Sequence, residues 1–142
     1  MADLRDPDLS RFVAAQRPCW DSVLTELHQG RKRSHWMWFA FPQIAGLGHS
    51  ATARHYAIAD LAEAGAFLRH PLLGARLREA IEALLPWQGL CPAEAIFGAV
   101  DAMKLRSSMT LFERAAGEED LDAPPLRRCW TDSTRGIAIL PR

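Results

Sequence analysis

The stretch DLAEAGAFLRHPLLGARLREAIEALLP, residues 60–86, decides the fold class. Asp60 offers a side-chain oxygen to the free N–H groups of a helix start. Leu61, Ala64, Phe67 and Leu68 then recur at the spacing of one helical face. His70-Pro71 breaks the pattern, because a proline interior to a helix removes a ladder hydrogen bond. Pro71 opens a second, longer helix with Leu73, Leu77, Ala80, Ile81, Leu84 and Leu85 inward, and Pro86 closes it. Neither segment alternates with period two, so no strand reading competes.

The same period extends in both directions. Upstream, Asp6-Pro7 starts a helix with Leu9, Phe12 and Val13 on one face. Trp20, Val23, Leu24 and Leu27 mark the next helix, with Gly30 where a C-terminal cap belongs. Ser34 is placed to cap a short helix that Pro42 limits, and Ser50 to cap another. Downstream, Pro92 opens a short helix stopped at Gly98, and Asp101 caps a helix carrying Leu105, Met109 and Phe112. Gly117 to Pro125 reads as an acidic, proline-rich linker, followed by a helical turn over Leu126 to Trp130. The expectation is an all-α fold: a single compact domain of about seven short helices over residues 1–142, with 117–142 as a variable tail.

The bulk composition agrees with a packed domain. The chain has 142 residues, 49% of them hydrophobic, near the usual size of one domain. Lysine plus arginine and aspartate plus glutamate number 17 each. A neutral balance argues against a specific nucleic-acid partner, which usually brings a basic excess. No apolar run approaches the roughly 20 residues of a membrane span. Cys19, Cys91 and Cys129 are odd in number and far apart, which suggests free thiols in a reducing cytoplasm. No cofactor signature or metal-ligand spacing is present, His49 and His55 included.

Two segments concentrate chemistry. In Arg31-Lys32-Arg33-Ser34-His35-Trp36-Met37-Trp38-Phe39-Ala40-Phe41-Pro42-Gln43, cations precede four aromatics. Such a run is either a core helix beside solvated cations or a pocket wall. As a wall, its aromatics would stack a planar ring, its cations hold an anion, and His35 exchange a proton. In Asp101 to Thr110, Asp101, Lys104 and Ser108 share a helix face, while Ser107 and Ser108 are weak helix formers whose hydroxyls need partners. Those partners are either a ligand or the carbonyl four residues back. Gly46-Leu47-Gly48-His49-Ser50 is a weaker third signal, a glycine loop that could admit an anion.

The strings GRKRSHWMWFAFPQIAGLGHS, EAGAFLRHPLLGARLREA and IFGAVDAMKLRSSMTLF closely resemble the bacterial domain-of-unknown-function family 1810, from about Trp20 to Phe112. The resemblance implies an all-helical fold of this size and no established activity. The name "calpastatin" carried by some members has no support in this sequence. The ending CWTDSTRGIAIL keeps Trp130 but departs from the family's usual close. A fainter similarity joins the chain to NADAR domains, small helical proteins linked to ADP-ribose and related phosphorylated riboses.

Together these readings set an expectation. Arg31, Lys32, Arg33, Ser34, Trp36, Trp38, Gln43, Lys104, Ser107 and Ser108 would hold a small anionic, nucleotide- or ADP-ribose-like ligand. His35 would serve as acid or base and Asp101 would stabilise positive charge, with N-glycosidic cleavage as the expected chemistry if the protein is an enzyme. A non-catalytic protein-interaction module and a weak RNA binder are the alternatives.

Overall fold

The computed structural model describes residues 8–118. Within them the chain is all-α, with seven helices: α1 Ser10–Gln16, α2 Trp20–His28, α3 Met37–Ala40, α4 Ala51–His55, α5 Leu61–Arg69, α6 Leu73–Leu84 and α7 Ala93–Glu118. The Asp6-Pro7 start, the Leu126 to Trp130 turn and Cys129 lie outside the described residues.

Local chemistry explains most boundaries. Asp60 caps α5 by accepting from the Glu63 N–H at 2.8 Å, and Ser50 caps α4 by accepting from Ala53 at 3.1 Å. Gly30 ends the α2 turn at φ +69°, a conformation that glycine adopts without strain. Helix α6 starts at Leu73 and not at Pro71. There His70 Nδ1 accepts from the N–H groups of Leu72 and Leu73, a side-chain cap supplied by the residue that breaks the preceding helix.

Three expectations are corrected. Ser34 does not cap α3, which begins at Met37; its hydroxyl instead donates to a Glu26 carboxylate oxygen at 2.7 Å. Asp101 does not cap the last helix. The short helix from Ala93 does stop at Gly98 (φ 80°, ψ 167°), but the next segment of α7 begins directly after it, so Asp101 lies inside that segment. Gly117 belongs to α7 and not to a linker, because the helix continues to Glu118.

The core is one continuous apolar cluster to which every helix except α4 contributes. Helix α5 packs against both α6 and α7, α2 against α6, and α1 against α3. Ring contacts link three of these elements: Phe12 meets Phe67 edge-to-face at 5.3 Å, and Phe67 meets Phe112 in a tilted pair at 5.2 Å. Between α3 and α5 the backbone folds back on itself. A single parallel bridge joins Ile44 to Ile58, with the Ala45 N–H donating to the Ile58 carbonyl and the Ile58 N–H to the Gln43 carbonyl, each at 2.8 Å. This clasp holds the 43–48 loop and α4 out beside the core.

Candidate functional site

The basic-aromatic segment divides its side chains by depth. Trp36, Met37, Ala40 and Phe41 are buried, whereas Trp38 and Phe39 are half-buried. The organiser of this segment is Glu26, which sequence reading passed over. It follows Val23 by three residues on the buried side of α2, and only 7% of its surface is exposed. Its carboxylate accepts from the backbone N–H of Arg33 (2.6 Å) and Ser34 (2.9 Å), the Ser34 hydroxyl and the Trp36 indole N–H (3.0 Å). Burial pushes the Glu26 carboxyl up, but these donors outweigh it and bring its pKa down to about 2.

Lys32 follows from that anchored turn. Its side chain is only 8% exposed, and its ammonium reaches Asp101 at 2.8 Å and the Ser34 carbonyl at 2.6 Å, 5.1 Å from the Trp36 ring centre. Asp101 also pairs with Lys104 at 3.4 Å, and the Lys104 ammonium sits 3.7 Å over the Trp38 ring. The structure thus brings Lys32, Ser34, Trp36, Trp38, Asp101 and Lys104 together in one cluster. It leaves others apart. Arg31, Arg33 and His35 are exposed, and the His35 side chain makes no hydrogen bond, ion pair or ring contact with a described residue. Ser107 donates to the Met103 carbonyl at 3.0 Å, the local alternative to a ligand contact. Ser108 is fully buried, and its hydroxyl has no partner among the described residues.

A cavity of about 210 Å³ opens beside this cluster, under the clasp. It is lined by Trp38 and Gln43, by Ala45, Gly46 and Gly48 of the loop, and by Arg54 and Tyr56 at the end of α4. Lys104, Arg33 and His35 do not line it, so the cavity site is displaced from the expected one and shares with it only Trp38 and Gln43. Tyr56 is fixed by ring contacts with Phe39 (5.6 Å) and Phe12 (6.0 Å).

The polar side chains of this cavity make no hydrogen bond to any described residue. Three of the four described tryptophans use their indole N–H internally: Trp20 on Glu79, Trp36 on Glu26 and Trp87 on the Leu27 carbonyl. The Trp38 N–H donates to no described residue, and the Gln43 amide, Arg54 guanidinium and Tyr56 hydroxyl likewise make no hydrogen bond among them. Arg54 was missed because it reads as one of many surface cations; only the loop-helix clasp brings it to Trp38.

No group of His, Cys, Asp and Glu among the described residues could hold a metal ion, and no described helix is long and apolar enough to cross a membrane. Cys19 is half-buried, and burial pushes its thiol above the ordinary range, as for a packing residue rather than a nucleophile.

Fold and site define a small all-helical domain with a solvent-accessible aromatic cavity at the edge of its core. The chain belongs to the family described as "Protein of unknown function (DUF1810)", whose model matches residues 6–135. It is similar to the conserved hypothetical protein Rv1873 from Mycobacterium tuberculosis, known from a crystal structure at 1.38 Å. The two are 50% identical over 80% of each chain, with a TM-score of 0.73. No curated protein matches the chain.

Proposed function

We propose that this protein binds a small ligand that combines a planar ring with an anionic group, nucleotide-like in that sense, and that the ring enters the Trp38 cavity. The supporting observation is Trp38 itself, the described tryptophan left with a free indole N–H, which lines a cavity beside the equally free Gln43 and Tyr56. Convergent polar groups in an aromatic pocket are the usual form of a ligand site. At about 210 Å³ the cavity is below the range typical for drug-sized ligands, so it takes one ring and leaves the rest of the molecule outside.

Binding is the better-supported reading over N-glycosidic cleavage. Asp101 faces two lysines within 3.4 Å, so its charge is already matched and poorly placed to stabilise a developing cation. Its proposed partner His35 is exposed and contacts neither Asp101 nor the cavity.

The test is a titration of intrinsic tryptophan fluorescence with AMP and with ADP-ribose. Saturable quenching is expected for the wild type and not for Trp38→Leu, with far-UV circular dichroism confirming that the variant is folded. No response to either compound would sink the reading and favour a protein-interaction module.

A further inference from the structure

We propose that the anionic group of the ligand is a phosphate monoester, held at the cavity by the Arg54 guanidinium together with the backbone N–H groups of Gly46 and Gly48. The inference rests on the cavity being a ligand site and adds which anion it takes and by what. Arg54 is exposed, whereas Trp38, Gln43 and Tyr56 are half-buried, so the cation stands at the outer edge of the lining. No described carboxylate neutralises it.

The loop lines the same cavity as Arg54. Gly46 adopts φ +97°, and a Cβ added there would meet only open space, so the glycine serves the backbone conformation and not a close approach. Gly48 is different, because a Cβ at that position would run into Ala53 one residue before Arg54. The loop backbone therefore lies against α4 at the point where Arg54 leaves it. Neither the Gly46 nor the Gly48 N–H donates to another described residue, although the neighbouring Ala45 N–H is tied into the clasp.

Donors of two kinds, a side-chain guanidinium on α4 and backbone N–H groups of the loop beside it, select the shape of the anion. A carboxylate is planar and presents both oxygens along one edge, which a single guanidinium fork satisfies. A phosphate is tetrahedral: two oxygens can meet the fork while a third remains for backbone N–H groups of the adjoining loop. With Trp38 lining the inner part, the ester oxygen would lead from the phosphate at the rim to the ring inside.

The experiment is a titration of the isotope-labelled protein with inorganic phosphate, followed by amide resonances. Saturable shifts confined to Gly46, Gly48 and the Arg54 side chain are expected, with a dissociation constant on the order of 1 mM, as suits an isolated fragment. Arg54→Ala should weaken this by about tenfold or more while leaving the remaining spectrum in place. Acetate should bind more weakly than phosphate. The proposal is overturned if those amides do not respond, if acetate matches phosphate, or if Arg54→Ala leaves the affinity unchanged. Failure of the ring reading would look different: phosphate would still shift the loop, but AMP and ADP-ribose would leave the Trp38 indole resonance unmoved.

Discussion

Replacing Glu26 with alanine tests how the basic-aromatic segment is held. The carboxylate accepts four hydrogen bonds, and their donors differ in what happens when it is gone. Arg33 and Ser34 are exposed, so water can take over their N–H and hydroxyl groups at small cost. Trp36 is 1% exposed, and its indole N–H would be left buried without an acceptor. An unsatisfied buried donor costs about 1–3 kcal/mol, and loss of the charge-assisted bonds to the turn adds to it, so Glu26→Ala should lower stability by about 3 kcal/mol. Urea unfolding at neutral pH measures this directly. Acid supplies a second readout. The folded pKa of about 2 lies below the ordinary 4.5, so the stabilisation is complete above about pH 5 and is lost as the pH falls toward 2. The stability gap between wild type and Glu26→Gln should therefore narrow over that interval. Equal stability of wild type and Glu26→Ala at pH 7, or a gap to Glu26→Gln indifferent to acid, would refute the assigned role.

Ser108→Ala should raise stability by about 1 kcal/mol, seen as a higher urea midpoint, because it removes a buried hydroxyl that has no partner; a loss of stability would mean that the hydroxyl is engaged. Asp101→Asn should cost about 3 kcal/mol, since it leaves the buried Lys32 ammonium without its counter-charge, whereas Lys104→Ala should cost under about 1 kcal/mol because that pair is more exposed. Gly74→Ala should destabilise by well over 1 kcal/mol in thermal unfolding, because its Cβ would be driven into the Leu68 carbonyl oxygen where α5 meets α6.

The helices were legible because periodicity and caps are local: Asp60, Ser50 and Gly30 act within a few residues of where their effect is read. The errors have the same origin. Ser34 was given to a helix start because a serine before an aromatic run looks like a cap, but a carboxylate eight positions earlier competes for its hydroxyl. His70 beside Pro71 reads as a helix break, yet its ring nitrogen accepts from the first N–H groups of the next helix, a role that only the folded geometry reveals. The two chemistry-bearing segments touch through Lys32, Asp101, Lys104 and Trp38, while Arg33 and His35 stay out of that contact. The cavity was not legible, since it depends on the Ile44–Ile58 clasp, a tertiary contact between residues outside any regular strand.

The distribution of tryptophans gives that cavity its weight. An indole in a core brings a large apolar surface and one donor that must find an acceptor. Trp20, Trp36 and Trp87 each meet this condition with an acceptor from another element, at 2.7 to 3.1 Å. Each thereby joins two elements as well as filling volume. Trp38 follows Trp36 by two residues, which on a helix turns it away from the face that Trp36 and Met37 bury. Its ring is braced on one count, by the Lys104 ammonium at 3.7 Å, but its N–H is not engaged by any described residue. A purely structural tryptophan at a half-buried position could be replaced by leucine or methionine with little loss of packing. Held by a cation and flanked by Gln43 and Tyr56, whose side chains make no hydrogen bond to a described residue, it supports the proposed site for a planar ring. The same reasoning predicts that Trp38→Leu changes ligand response much more than stability, while Trp36→Leu does the reverse.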